Sequence, residues 1–274
     1  MEEKNYTYKY PRPAVTTDCV TFGVDGHKLK VLLIERGHEP YKGYWAFPGG
    51  FLNMNENAEE GALRELEEET GLTLSKIKEL GTFSEVERDP RERVISIAFY
   101  ALTKKAEVKG NDDAAKAQWF SIDKVPNLAF DHNLMLQKAL QKLNEDLKKR
   151  ITPEFISDLK NNEIFVFGSN LAGAHGGGAA RIAAERFGAV MGQGVGLQGQ
   201  SYAIPTMQGG VNTILPYVDE FISFAKQHSE LIFLVTKIGC GIAGFTPTQI
   251  APLFASAVEL ENVYLPMDFW KELV

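Results

Sequence analysis

The spacing of apolar and polar positions changes several times along the 274 residues, and each change marks an element. Residues 14–24 (AVTTDCVTFGV) and 29–35 (LKVLLIE) are short apolar, β-branched runs around Asp25-Gly26, which predicts two strands and a turn. After Gly49-Gly50 the period lengthens, predicting a helix from Ala58 to Thr70 that Gly71 stops. Strand-like runs follow at 77–87, 93–102 and 117–121, then a helix over 132–149 with Asp131 as its N-cap. Lys148-Lys149-Arg150 suits the negative end of that helix dipole. Ile151-Thr152-Pro153-Glu154 breaks the pattern, so a domain boundary is expected there, giving domains 1–150 and 151–274.

Beyond the boundary the pattern becomes strand, glycine loop, helix. Fifteen of the 25 glycines follow residue 151, and 12 of those lie between Gly168 and Gly210. A strand at 163–167 leads through a glycine-rich loop to a helix at 178–187. A second strand at 231–238 leads through GCGIAGF to a helix at 247–260. Alternation of this kind predicts a layered α/β domain.

Composition narrows the partners. A net charge of -7 offers no global field for nucleic acid or anionic membrane. An anionic substrate must then be met by a metal, local arginines or backbone N–H groups. The start is acidic and polar, and no apolar run approaches the ~20 residues of a membrane span. Cys19 and Cys240 form no C-x-x-C pair, so a soluble protein of the reducing cytoplasm is expected.

The segment Gly50–Leu72 carries the strongest chemistry. At about 100° per residue Glu65, Glu68 and Glu69 share one arc of the helix, while Glu60 and Glu67 point away. Leu63 and Leu66 lie beside that arc and are placed to pin the helix to a core. Like charges at this spacing disfavour a helix by roughly a few tenths of a kcal/mol per pair. A hard divalent cation, which prefers carboxylate oxygens and phosphates, would compensate; a solvated glutamate-rich face is the alternative.

The segment resembles the Nudix box, G-x5-E-x7-R-E-U-x-E-E-x-G-U with U aliphatic. Gly50, Glu56, Arg64, Glu65, Leu66, Glu68, Glu69, Gly71 and Leu72 occupy every fixed position. The resemblance implies a Nudix α/β/α sandwich with a mixed sheet that cleaves a nucleoside diphosphate with Mg²⁺ or Mn²⁺. It implies that Glu65, Glu68 and Glu69 hold the metal, with the carbonyl of Gly49 as a further ligand. Glu68 or Glu69, or a glutamate outside the box, would help deprotonate the attacking water. Arg64 and Glu56 resemble the family's structural ion pair, with Gly50 a structural glycine of the box.

Residues 10–143 resemble the ADP-ribose pyrophosphatase branch, through Tyr10–Val15, Gly43–Gly50, Arg88-Asp89-Pro90 with Arg93–Ser96, Asp112–Ala115 and Trp119-Phe120. ADP-ribose is the substrate this implies, with NADH or another ADP-linked compound as the alternative. Arg88 and Arg93 are candidates to bind it by charge-assisted hydrogen bonds, or form a surface cluster with Asp89 and Glu92. Trp45 and Phe47 can stack on a base or pack in the core. Related Nudix domains in transcriptional regulators carry a DNA-binding domain, but the second half here has six basic against 11 acidic residues and no basic recognition helix. Direct DNA binding is therefore not expected. Related hydrolases are often dimers, and a homodimer is expected by that analogy.

In the second half Thr246 and Gln249 fit a capping box, with Pro247 at the first helical position. The preceding loop thus meets a helix N-terminus, where phosphate binding is favourable; glycines also serve tight turns and close packing. Residues 161–271 resemble a divergent macrodomain, an α/β/α fold that binds ADP-ribose. Asn170 matches the asparagine that contacts the distal ribose. Gly176, Gly177 and Gly178 match the first loop, and Gly239, Gly241, Ile242, Ala243, Gly244 and Phe245 match the second. Ala180 stands where one hydrolytic branch carries an aspartate, which favours binding of ADP-ribose or an ADP-ribosylated macromolecule over hydrolysis. An ADP-ribosyl hydrolase or an interaction module is the alternative. His175 and Lys237 are candidate polar groups, and Tyr202, Phe245 and Trp270 can stack an adenine or fill the core.

Overall fold

The computed structural model describes residues 6–110 and 114–274, so Asp112 and Asp113 lie outside the described residues. The chain divides into two compact units. The first comprises Met1–Gly23, Lys30–Ala101 and Ala106–Lys142, and the second Val24–Leu29, Leu102–Lys105 and Leu143–Val274.

In the first unit the elements are β1 (Ala14–Val24), β2 (Leu29–Arg36), β3 (Trp45–Ala46), β4 (Gly49–Phe51), α1 (Ala58–Thr70), β5 (Lys78–Phe83), β6 (Val94–Lys104), β7 (Ala114–Ser121) and α2 (His132–Lys149). The sheet runs β3-β2-β1-β6-β5, with β4 added to β1 and β7 to β2. β1 does two jobs by alternation. Cys19 faces α1 and joins a core with Leu32, Ala62, Leu66, Ile77 and Phe99. Thr16 and Asp18, on the opposite face, line a cavity. The antiparallel pairing of Thr17 with Gly50 and Asp18 with Gly49 brings β4 against that face.

α1 matches its sequence boundaries because both ends are encoded locally. Asn57 caps Glu60 N, the Glu60 carboxylate returns to Asn57 N, and Gly71 closes the helix at φ 70°. Asp131 precedes α2 as expected, but its carboxylate receives both Nε and a terminal nitrogen of Arg88.

The second unit contains β8 (Glu163–Ser169), α3 (Gly178–Arg186), β9 (Gly196–Gln198), β10 (Ser201–Pro205), α4 (Leu215–Gln227), β11 (Ile232–Val235), α5 (Pro247–Ile250), β12 (Val263–Tyr264) and α6 (Met267–Leu273). Its sheet is ordered β12-β11-β8-β10-β9. β8 is parallel to β10 and β11, β12 is parallel to β11, and β9 is antiparallel to β10. On one face Phe165 and Phe167 pack with Ala180, Ala183 and Phe187 around α3. On the other, Tyr202 and Phe233 meet Phe221 of α4 at 5.2 and 5.4 Å between ring centres.

The expected helix at 247–260 is α only over Pro247–Ile250 and continues as a 3-10 helix over Ala251–Glu259. Pro252 supplies the reason, since it has no N–H to extend the α ladder. Tyr202 and Trp270 are buried, and Trp270 Nε1 donates to the Arg150 carbonyl at 3.0 Å. No helix among the described residues is long and apolar enough to cross a membrane.

Candidate active site

The first unit holds a cavity of about 190 Å³ between β1, the end of β2, the β3–β4 segment and residues 88–91 and 130–132. Glu69 reaches it from α1. The residue is 7% exposed, and its carboxylate accepts from Gly49 N at 2.9 Å. Burial raises its pKa to about 8 against that hydrogen bond, and the charges of Glu65 and Asp18 push the same way. Glu65 is also raised, again first by burial. Its carboxylate lies so close to Gly50 that a Cβ there would overlap it.

Arg64 organises the other acids. Its guanidinium binds Glu56 through Nε and a terminal nitrogen at 2.9 and 2.7 Å, and its second terminal nitrogen reaches Glu65 and Glu68 at 2.8 Å each. The hydrogen bonds from Arg64, joined by Asn53 N, hold the Glu56 carboxyl down at about 2. The Glu56–Arg64 pair therefore ties the loop before α1 to the helix. Glu68 sits on the outer side, with a half-exposed side chain.

Among the described residues no three acidic, histidine or cysteine side chains converge on one point. Arg64 draws Glu65 and Glu68 toward itself, while Gly49 holds Glu69. The donor set nevertheless fits a hard divalent cation. Glu69 is buried and Glu65 half-buried, and burial makes ionising either one costly, a cost that an added positive charge would offset.

Asp18 and His132 complete the wall. Ser96 Oγ donates to Asp18 Oδ2. His132 Nδ1 accepts Phe47 N at 3.0 Å, so its proton sits on Nε2, 3.6 Å from Asp18 Oδ1. Burial lowers the His132 pKa and keeps the ring neutral. The position of Asp18, an acid inside an apolar strand, was the available sequence signal for this group. His132 and Arg36 gave none, because Phe47 and Asp18 beside His132, and the Phe130 ring under Arg36, are distant in the chain.

The two candidate arginines part company. Arg88 lines the cavity but is bidentate to Asp131. Arg93 does not line it; its terminal nitrogens donate to the carbonyls of Ser84, Glu85 and Val94. Phe47 lines the cavity as a buried ring stacked on His132, and Trp45 packs edge-on against Phe120.

Residues 12–142 match the NUDIX domain model. An ADP-ribose pyrophosphatase of Methanocaldococcus jannaschii is 42% identical over 133 residues, covering 48% of this chain and 76% of that protein. The chain belongs to the Nudix family. It is also 31% identical over 174 residues to the ADPR responsive transcriptional repressor NtrR of Acinetobacter baylyi, covering 59% of this chain and 70% of that one. Among solved structures, the NUDIX domain of Shewanella oneidensis NrtR with ADP ribose is 30% identical with TM-score 0.48, covering 51% of this chain and 94% of that chain. The chain is thus a Nudix diphosphate hydrolase, and the close approach of Glu65 to Gly50 offers a test of its box. Gly50→Ala would push the Glu65 carboxylate aside, and a displacement of this size lowers turnover by roughly 10- to 100-fold. Because only a flexible carboxylate has to yield, the melting temperature should hold; steady-state assay beside calorimetry checks both.

The second unit has a separate cavity of about 290 Å³ at the carboxyl ends of β8, β10 and β11. Asn170, Gly177, Gly178, Ala180, Lys237, Gly239, Gly241, Ile242 and Ala243 line it; Gly176, Gly244 and Phe245 do not. The Asn170 amide is engaged on both atoms, donating to Ala174 O at 2.9 Å and accepting from Ala174 N at 3.1 Å. Lys237 pairs with Asp268 at 2.6 Å, and that bond raises its pKa. His175 is buried rather than exposed and outside the lining, with Nε2 bonded to Gln193 O and its ring edge-on to Phe167.

Proposed function

We propose that the first domain hydrolyses ADP-ribose to AMP and ribose 5-phosphate with Mg²⁺ or Mn²⁺. The single observation behind this reading is the Glu69 carboxylate, buried in the cavity wall beside Gly49 and Glu65. A relative named for ADP-ribose pyrophosphatase activity points to the substrate. Glu65, Glu68, Glu69 and the Gly49 carbonyl would hold the cation. When bound it acidifies water and offsets charge on the phosphates. Glu69, or the more exposed Glu68, takes a proton from the attacking water. The water oxygen forms a bond to one phosphorus, the P–O bond to the bridging oxygen breaks, and that oxygen leaves on the other phosphate.

Our reading of residues 151–274 is a macro-like α/β/α domain that binds ADP-ribose or an ADP-ribosylated group. Its support is the cavity between the two glycine loops, outside the carboxyl ends of parallel strands, where the order of strand addition switches from one side of β8 to the other. With Lys237 already paired to Asp268, backbone N–H groups are the means of meeting a diphosphate. A reducing cytoplasm suits the free Cys19 and Cys240.

Purified protein with Mg²⁺ should convert ADP-ribose to AMP and ribose 5-phosphate, resolved by chromatography, and EDTA should stop it. Absence of AMP would overturn the substrate. Calorimetric titration of the full-length Glu69→Gln variant with ADP-ribose should reveal a second site that Gly241→Trp removes. A single site, unaffected by that change, would refute the second-domain reading.

A further inference from the structure

The positive wall of the first cavity is not explained by the box. Arg36, the last residue of β2, lines the cavity with Glu69 and Asp18. Two contacts fix its guanidinium plane. Nε donates to Pro40 O at 2.9 Å, and the group lies over the Phe130 ring at 4.8 Å from its centre. No carboxylate among the described residues forms an ion pair with it. The terminal nitrogens are the edge that remains for a ligand.

Phe130 is held as a platform. Among the described residues it is one of two non-glycine residues at positive φ, 51°. A side chain in that region is disfavoured and persists where the surroundings demand it. The same ring lies 5.8 Å from Arg91, whose Nε and terminal nitrogen are bidentate to buried Asp89 at 3.0 and 2.7 Å. Arg91 is thus balanced and Arg36 is not. Burial first, then the charge of Arg91, lowers the Arg36 pKa; Asp89, Glu69 and Asp18 oppose this without touching it. A desolvated, pre-oriented cation that shares the cavity with Glu69 and Asp18 without touching either leaves room for an anion linked to a metal.

We propose that Arg36, stacked on Phe130, is the specificity-determining cation of the cleft. It grips the phosphate adjoining the one attacked, so a diphosphate is selected over a monophosphate. A guanidinium suits this task because its planar fork can engage two phosphate oxygens at once. The inference rests on the cleft being the diphosphate site proposed above, and does not require that ADP-ribose be the compound bound.

The test is calorimetry of ADP and AMP with Mg²⁺ on wild type, Arg36→Met, Arg36→Lys and Phe130→Leu, with Lys149→Met as a surface-charge control. Loss of a charge-assisted fork should weaken ADP by about 10- to 100-fold and leave AMP within a few-fold. Arg36→Lys should restore part of the loss, and Phe130→Leu should give a smaller loss of the same kind. Mn²⁺ binding, read by electron paramagnetic resonance, should stay unchanged throughout. Equal weakening of ADP and AMP, or no weakening of either, would overturn the assignment. If wild type leaves ADP-ribose intact yet shows the ADP-over-AMP difference at Arg36, the substrate falls and the clamp stands.

Discussion

Glu69→Gln is expected to lower turnover by about two to four orders of magnitude while the protein stays folded. Glutamine keeps an oxygen to accept Gly49 N, so the contact between α1 and β4 survives. It cannot take a proton from water or carry the charge a divalent cation needs. Burying the ionised glutamate opposes folding, which is the meaning of its raised pKa. In EDTA the variant should therefore melt no lower than wild type. With Mg²⁺ added, wild type should gain melting temperature and the variant much less. Near-normal turnover, or equal metal-induced shifts, would refute the metal site.

Arg150→Met should be the most damaging change to the second unit's stability. Arg150 donates to the carbonyls of Ala257, Val258, Leu260 and Val263, with its guanidinium over the Trp270 ring at 5.0 Å. Burial lowers its pKa to about 10 against the charges of Glu261 and Asp146. Methionine keeps the stem against Trp270 and removes every donor, so four carbonyls lose a partner. An expected cost of about 3–5 kcal/mol follows from stranding buried acceptors. In a domain of this size that shifts melting by roughly 10 °C or more in scanning calorimetry. A shift of about 2 °C or less would show that water replaces the guanidinium.

The same residue shows where sequence reading ends. Lys148-Lys149-Arg150 reads as a basic helix end, and Lys149 does make a local pair with Asp146. Arg150 instead serves carbonyls more than 100 positions away, which no local pattern encodes. α1 was legible to its last residue because the change of period, Leu63 with Leu66, and Gly71 are all local, and the Asn57 capping box that the structure adds is local too. Helix 247–260 was misjudged in type where Pro252 stands, although proline was visible in the sequence. In the site, helical spacing grouped Glu65, Glu68 and Glu69, and the resemblance to the Nudix box implied the Glu56–Arg64 pair. Arg36, Asp18 and His132 come together only when β1, β2 and the start of α2 fold, so their roles needed three dimensions.

Strand β1 places Thr16 and Asp18 toward the cavity, and Thr17 and Cys19 toward the helix that carries the glutamates. Inserting or deleting one residue between Cys19 and the turn to β2, with the hairpin kept, would turn this alternation over. An acid would enter the apolar core and a thiol would face the cleft. Chemistry and folding are thus inherited from a single frame, and a shifted frame has no half-working intermediate through which to drift.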